Sequence, residues 1–150
     1  MSIESAISDL HKAHSQGQEK YAYFLLAAAG AAIGFAVQKT DGLSLTWWLL
    51  PVGISTLLWG ASFYCGCKNL DRVSAATSAN FNLLQLRVGS HPNQPPHIEL
   101  TEAAIRGVTT ALNTNIQNAH KYAVWQFRLL ILGAVMFVAW RVLEMLRVTP

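Results

Sequence analysis

The sequence contains little charge. Asp, Glu, Lys and Arg make up only 13% of its 150 residues, against about 25% in a typical soluble domain, whereas 52% are hydrophobic. A chain with so little polar surface cannot face water alone, and its mean hydropathy of +0.28 predicts that much of it lies in lipid. The net charge of +3 comes from scattered residues without a polybasic block, so the basic residues predict membrane topology and not nucleic-acid binding.

Motifs of catalysis are also missing. The sequence has no glycine-rich phosphate loop, no GxSxG, no HExxH and no paired CxxC, the arrangements that place phosphates, nucleophiles or metals. We therefore predict no catalytic residues, no metal site and no cofactor, and we do not expect an enzyme.

Cysteine and histidine pairs that could bind a metal are few. Cys65 and Cys67 are too close for an easy disulfide within a helix. They are either half of a metal or redox site, a lipidation site, or two small residues that pack at a helix end; we favour packing because a structural metal site normally needs four ligands. His11 and His14 share a helix face and could both reach a metal. Since no carboxylate joins them, a solvated or core-edge pair is the favoured interpretation.

Long apolar runs, by contrast, cover residues 21–38, 43–65 and 124–147. The uncharged core of the first run is about 26 Å long as a helix, near the lower limit for crossing a bilayer. Pro51 is tolerated in a span, where neighbours satisfy the freed carbonyl, and we expect a modest kink near it. A short connection with Gly42 as its turn makes the first two spans an antiparallel hairpin. The predicted fold is an all-α integral membrane protein with three transmembrane helices.

Basic residues near the spans predict the orientation. If residues 1–20 and 66–123 lie on one side, that side holds most of them, namely Lys12, Lys20, Lys68, Arg72, Arg87, Arg106, Lys121 and Arg128. The other side holds Lys39, Arg141 and Arg147. The positive-inside rule then places the N-terminus in the cytoplasm and the C-terminus outside, as expected for a protein of the bacterial inner (plasma) membrane. Trp47, Trp48 and Trp140 mark the outer interface, whereas Trp59 fits neither interface and is predicted to pack between helices.

The segment 66–123 is predicted to form a cytoplasmic helical hairpin. Its loop is "GSHPNQPPH", residues 89–97, where His91 and His97 belong either to a binding loop or to a plain exposed one. Apolar residues recur at spacings of three and four before the loop, at Leu70, Val73, Thr77, Phe81, Leu84 and Val88, and after it, at Ile98, Thr101, Ile105, Val108, Leu112, Ile116, Ala119 and Ala123. Helices 2 and 3 are therefore expected to continue from their spans into the hairpin, with Thr101 as an N-cap.

The segment 1–20 is predicted to be a cytoplasmic amphipathic helix, with Ile3, Ile7, Leu10 and His14 on one face. These cytoplasmic stripes are thin, so partner chains would help to complete a core. Gly30 and Gly34, four residues apart among alanines, give the first span a smooth face for another helix. That helix belongs either to the same chain or to another copy, and we prefer a homo-oligomer.

Two charges end the third apolar run. Arg141 and Glu144 are three residues apart, so they share a helix face and can form an ion pair. In a ring of copies this pair would line an outer vestibule; alternatively, both side chains reach the outer interface beside Trp140. Ser55 and Thr56 are the polar candidates for a pore wall within the second span.

The architecture leads to two functional hypotheses. The first is an oligomeric membrane channel or pore whose cytoplasmic region assembles it or senses a signal. The second is a non-conducting, membrane-anchored adaptor that binds a protein partner through the cytoplasmic hairpin. Both require membrane lipid and neither requires nucleic acid.

Overall fold

The computed structural model describes the backbone of residues 3–42 and 46–148, and the side chains of residues 17, 20–42 and 46–147. Within these residues the secondary structure is helical: α1 is Ile3–Thr40, a 3-10 turn at Trp47–Leu49 leads into α2 at Leu50–Val88, and α3 is Ile98–Val148. All three helices are long and apolar enough to cross a membrane by length and composition, which confirms the all-α prediction at that level. The predicted N-terminal stripe and the pair His11 and His14 depend on side chains outside the described residues.

Glycines in the left-handed conformation end the first two helices. Gly42 has φ of 74° and Gly89 has φ of 75°, a region that only glycine enters at low cost. After α2, the N–H of Gly89 donates to the carbonyl of Leu86 at 3.4 Å, and the N–H of Ser90 donates to the carbonyl of Gln85 at 3.0 Å. This is the bond pattern of a Schellman motif, and it fixes the end of α2 at the predicted loop.

Two helix starts differ from the sequence-based expectation. Pro51 lies in the first turn of α2, where its missing N–H needs no partner, so the expected kink is a helix start instead. Thr101 lies inside α3, and its N–H donates to the carbonyl of His97 at 3.0 Å. The predicted N-cap at Thr101 is therefore wrong, because the helix already begins at Ile98.

The chain divides into two compact units. The span unit comprises residues 1–67 and 123–150, and the hairpin unit comprises residues 68–122. In the span unit, buried residues recur every three, four or seven positions, at Ala22, Leu25, Ala29 and Ala36 in α1, at Val52, Ser55, Trp59, Ser62 and Gly66 in α2, and at Gln126, Gly133 and Trp140 in α3. This spacing is typical of helices that pack along heptad seams.

Aromatic rings fill the interior of the span unit. The rings of Trp59 and Phe137 are 5.6 Å apart, and those of Phe137 and Trp140 are 5.5 Å apart. Phe35 of α1 meets Phe137 edge-on at 5.8 Å. Trp59 is only 4% exposed, which confirms the prediction that it packs between helices.

The hairpin unit pairs α2 with α3 in antiparallel fashion, and Arg72 Nη1 donates to Asn115 Oδ1 across the pair at 3.2 Å. The buried residues on its α2 segment are Asn69, Ala76, Leu83 and Leu86. The apolar stripe predicted from the sequence on α2 lies on another side, and its exposed large members are Val73, Phe81, Leu84 and Val88. We call these four residues the outer hairpin face. The α3 stripe is mostly half-buried, as expected for the packed side.

Candidate functional site

Polar side chains join α2 to α3 inside the span unit. Ser62 Oγ donates to the backbone carbonyl of Gln126 at 2.7 Å, and Trp59 Nε1 donates to the backbone carbonyl of Leu130 at 3.2 Å. We call Ser55, Trp59, Ser62 and Gln126 the polar seam. In a membrane, hydrogen bonds of this kind fix helix pairs, and each contributes about 0.6 kcal/mol on average.

Two glycines make room for the polar seam. A methyl group at Gly133 would lie 2.6 Å from Trp59 Nε1, and one at Gly66 would lie 2.6 Å from Gln126 Nε2 and 2.7 Å from Leu26 Cδ2. At Gly133 the clash is with the rigid ring of Trp59, so a larger residue would push α2 and α3 apart. At Gly66 the nearest atoms are the ends of the flexible Gln126 and Leu26 side chains, which would have to move. The sequence-based predictions included neither glycine; both follow the seven-residue spacing of the buried side, Gly66 after Trp59 and Gly133 after Gln126.

Gln126 is the least expected member of the seam. Its side chain is 1% exposed, and neither its amide oxygen nor its amide nitrogen has a hydrogen-bond partner among the described residues. An unpaired amide in apolar surroundings costs roughly 1–3 kcal/mol. A single amide within the apolar run 124–147 was a visible signal, which the sequence-based analysis did not use.

The predicted pore residues Ser55 and Thr56 have acceptors within their own helix. Ser55 Oγ is fully buried and donates to the carbonyl of Val52 at 2.8 Å. Thr56 Oγ1 donates to the same carbonyl at 2.9 Å. These hydroxyls are satisfied locally, and the neighbouring interior holds the ring of Trp59. A role for them in a pore wall stays a prediction.

A cavity of about 210 Å³ lies at one end of the span unit, and we call it the terminal cavity. Its lining residues are Thr46, Trp48, Leu49, Pro51, Trp140, Leu143, Glu144 and Arg147. Arg141 Nη1 donates to Glu144 Oε2 at 2.6 Å, so the predicted ion pair forms, with the two side chains 54% and 30% exposed. The guanidinium of Arg147 lies 5.4 Å from the centre of the Trp48 ring. The structure thus places Glu144 at the cavity, with Arg141 paired to it from α3.

Gly30 and Gly34 lie on an open side of α1. A methyl group at either position would meet no atom within 4 Å among the described residues. Ala27 and Ala31 are exposed beside them, and we call these four residues the small-residue face. Because each residue advances about 100° around the helix, this face is opposite the buried side of α1. The predicted smooth surface is therefore exposed in this structure. The helix that packs against it stays a prediction.

The potential metal ligands do not gather in the described part of the chain. Cys65 is half-buried and Cys67 is exposed, and both are free thiols. Within that part, His, Cys, Asp and Glu form no group of three or more that could hold a metal. In the loop, His91 Nδ1 accepts a hydrogen bond from the N–H of Asn93 at 3.1 Å, so this imidazole takes part in the turn.

The chain matches no known family model, no curated protein and no solved structure. Its function therefore has to follow from the contacts and surfaces of its own residues.

Proposed function

We propose that the protein is a homo-oligomeric membrane channel in which the ion pathway runs between copies of the chain. The three long helices cross the membrane, and residues 66–123 together with 1–20 lie in the cytoplasm, as the distribution of Lys and Arg favours. The hairpin assembles the copies, and the C-terminus lies outside.

The outer hairpin face is the observation that carries the proposal. Phe81 is 60% exposed, Leu84 is 52% exposed and Val88 is 79% exposed, on a segment that faces water in this topology. Full burial of a large apolar side chain is worth about 1.5–3 kcal/mol. An aligned apolar face of this kind is typical of a surface that another chain covers.

A second copy is the partner that the span unit favours. The small-residue face of α1 presents glycine backbone and alanine methyl groups to lipid. Acyl chains make no specific packing contacts with so smooth a surface. Small residues at four-residue spacing let two helices approach closely, which is how helices associate in membranes. The outer hairpin face and the small-residue face would both be covered in a ring of copies.

We place the pathway between copies because aromatic rings pack between the helices of one chain. Trp59 and Phe137 pack against each other inside the span unit, Trp140 lies next to Phe137 and lines the terminal cavity, and the hydroxyls of Ser55 and Ser62 are already bonded. In the ring, the ion pair would lie near the outer mouth, with the 54% exposed Arg141 toward the pathway and Glu144 toward the terminal cavity, and charge at a pore mouth selects among ions.

A non-conducting adaptor is the second candidate. It uses the same outer hairpin face, but a different protein covers it. The aromatic rings packed between the helices of the span unit favour this candidate as well, since an anchor needs no pathway.

The test compares two double variants of the purified chain. F81S/L84S removes the outer hairpin face, and N80S/N82S is the matched control because it changes two exposed polar residues on the same helix. We measure the mass of the protein in detergent and its conductance in planar bilayers. The channel predicts that the wild type and the control form an oligomer that conducts, and that F81S/L84S loses at least tenfold in association, or about 1.4 kcal/mol, together with the conductance.

Each other outcome has a defined meaning. A wild-type oligomer that stays silent at high protein density would overturn the channel and leave the adaptor. A wild type that is strictly monomeric in detergent and in bilayers would overturn assembly from copies of this chain. Equal association of F81S/L84S and the control would remove the hairpin as the assembly surface.

A further inference from the structure

The terminal cavity brings opposite charges together beside aromatic rings. Glu144 and Arg147 both line it and are three residues apart on α3, so they contribute one negative and one positive charge. A cavity with this balance complements a ligand that itself carries both charges, whereas it would repel part of any ligand with one sign only.

The volume of the cavity limits the size of the ligand. Pockets that enclose drug-sized molecules measure roughly 300–1,000 Å³, and the terminal cavity measures about 210 Å³. It therefore suits a small polar group and not a whole cofactor.

The two charged side chains keep functional groups available for such a ligand. Arg141 bonds to Oε2 of Glu144, but an ionised carboxylate can accept about four hydrogen bonds, so acceptor capacity remains. Arg147 is held over the Trp48 ring. A guanidinium carries five N–H donors in a planar fork, a geometry suited to a phosphate.

The rim of the cavity is apolar and open. Trp48 is 55% exposed and Leu143 is 49% exposed, and both line the cavity at the end of the span unit. Tryptophan is enriched where a membrane meets water. A ligand that enters here can therefore leave a hydrocarbon tail in the lipid beside Leu143.

We propose that the terminal cavity binds the headgroup of a zwitterionic phospholipid of the ethanolamine type. Arg147 donates to the phosphate, Glu144 accepts from the ammonium group, and the acyl chains pass over Leu143 and Trp48. An ethanolamine ammonium has three N–H donors for the carboxylate, whereas a choline headgroup has none. A phosphatidylglycerol headgroup carries no cation to pair with Glu144. This binding depends on the span unit alone and holds whether or not the protein conducts.

The test is native mass spectrometry of the full chain in detergent micelles with equal amounts of phosphatidylethanolamine, phosphatidylcholine and phosphatidylglycerol. We expect phosphatidylethanolamine to be retained at least tenfold over the other two. R147Q should lower that retention about tenfold, and R147K should restore part of it because the charge returns without the planar guanidinium. K39Q is the matched control: Lys39 also lies over an aromatic ring, Phe35, at 5.6 Å, but it does not line the cavity.

Two further experiments test the role of Glu144 and compete the lipid with a soluble phosphate compound. E144Q should abolish the preference for phosphatidylethanolamine over phosphatidylglycerol, while circular dichroism confirms that each variant keeps its helix content. Equal retention of all three lipids by the wild type, or equal losses in R147Q and K39Q, would overturn the proposal. Displacement of the lipid by millimolar inorganic phosphate, which carries no ammonium group, would show that the site takes any free phosphate and would overturn its assignment to a lipid.

Discussion

The span unit and the hairpin unit are built from the same α2 and α3 helices, but their contacts differ in kind. Between α2 and α3 of the span unit, the buried residues are glycine, serine, glutamine, tryptophan and one valine, and the side chains of Ser62 and Trp59 donate to backbone carbonyls. In the hairpin unit, leucine and alanine pack instead, and the cross-helix bond joins two side chains, Arg72 and Asn115. Membrane helices pack through small residues because lipid is as apolar as leucine, whereas water drives leucine into a core.

The span unit and the hairpin unit also differ in where their ion pairs lie. The hairpin unit has two exposed ion pairs along its helices, Lys68 with Asp71 and Arg106 with Glu102, each at 3.7 Å, whereas the ion pair described in the span unit lies near the end of α3. Such pairs contribute little to stability in water, but they are typical of a solvated helix. In the proposed topology, an exposed apolar side chain therefore means different things in the two units: in the span unit it would meet lipid, and in the hairpin unit it would be open to a partner.

The largest expected effect comes from the aromatic interior of the span unit. Trp59→Ala removes the ring packed on Phe137 and the bond to the carbonyl of Leu130, and we expect it to lower the free energy of unfolding by about 3 kcal/mol. Unfolding by steric trapping in bicelles would measure the change. Trp125→Ala is the control, because Trp125 is 55% exposed and should cost about 1 kcal/mol or less. Similar losses in both variants would mean that Trp59 does not hold the helices together.

Two adjacent leucines sharpen the comparison within the hairpin unit. Leu83 is 5% exposed and Leu84 is 52% exposed. Leu83→Ala should destabilise the hairpin by about 2 kcal/mol, whereas Leu84→Ala should change its stability by about 0.5 kcal/mol or less. Hydrogen exchange of the amides in residues 100–122, at a concentration where the chain is monomeric, would report both.

If the amides exchange faster in Leu84→Ala than in Leu83→Ala, the packed face of α2 would be the outer hairpin face instead. If the proposed assembly is correct, Leu84→Ala should nevertheless weaken association of the copies. The same substitution thus separates the packing of one chain from the packing between chains.

The sequence sufficed for the helices because long apolar runs and glycine stops are local signals. The loop after Val88 follows from Gly89, whose left-handed conformation the sequence could anticipate. The packed face of the hairpin could not be read in this way, since Phe81 and Leu84 are more hydrophobic than Ala76 but lie on the exposed side. Periodicity identifies an apolar face and does not say which chain covers it.

The seam was equally hidden, because its contacts join residues far apart in the chain. Trp59 could be placed between helices by its position in the span. Its partner Gly133 has no side chain, so the apolar pattern gives no sign of the contact. The ion pair of Arg141 and Glu144 was predictable because three residues on one helix bring it together. Distant close approaches required the structure.

The smallest expected effect tests whether the side chain of Gln126 contributes to the stability of the span unit. The amide of Gln126 has no partner among the described residues, but its backbone carbonyl accepts from Ser62. Gln126→Leu removes the unpaired amide and keeps the carbonyl, so we expect the free energy of unfolding to rise by about 1 kcal/mol in the steric-trapping assay. Gln117→Leu, at an exposed position of the same helix, should leave the stability unchanged. A loss of stability in Gln126→Leu would show instead that the amide is hydrogen-bonded in the membrane, and the seam would then depend on that side chain as well as on its backbone.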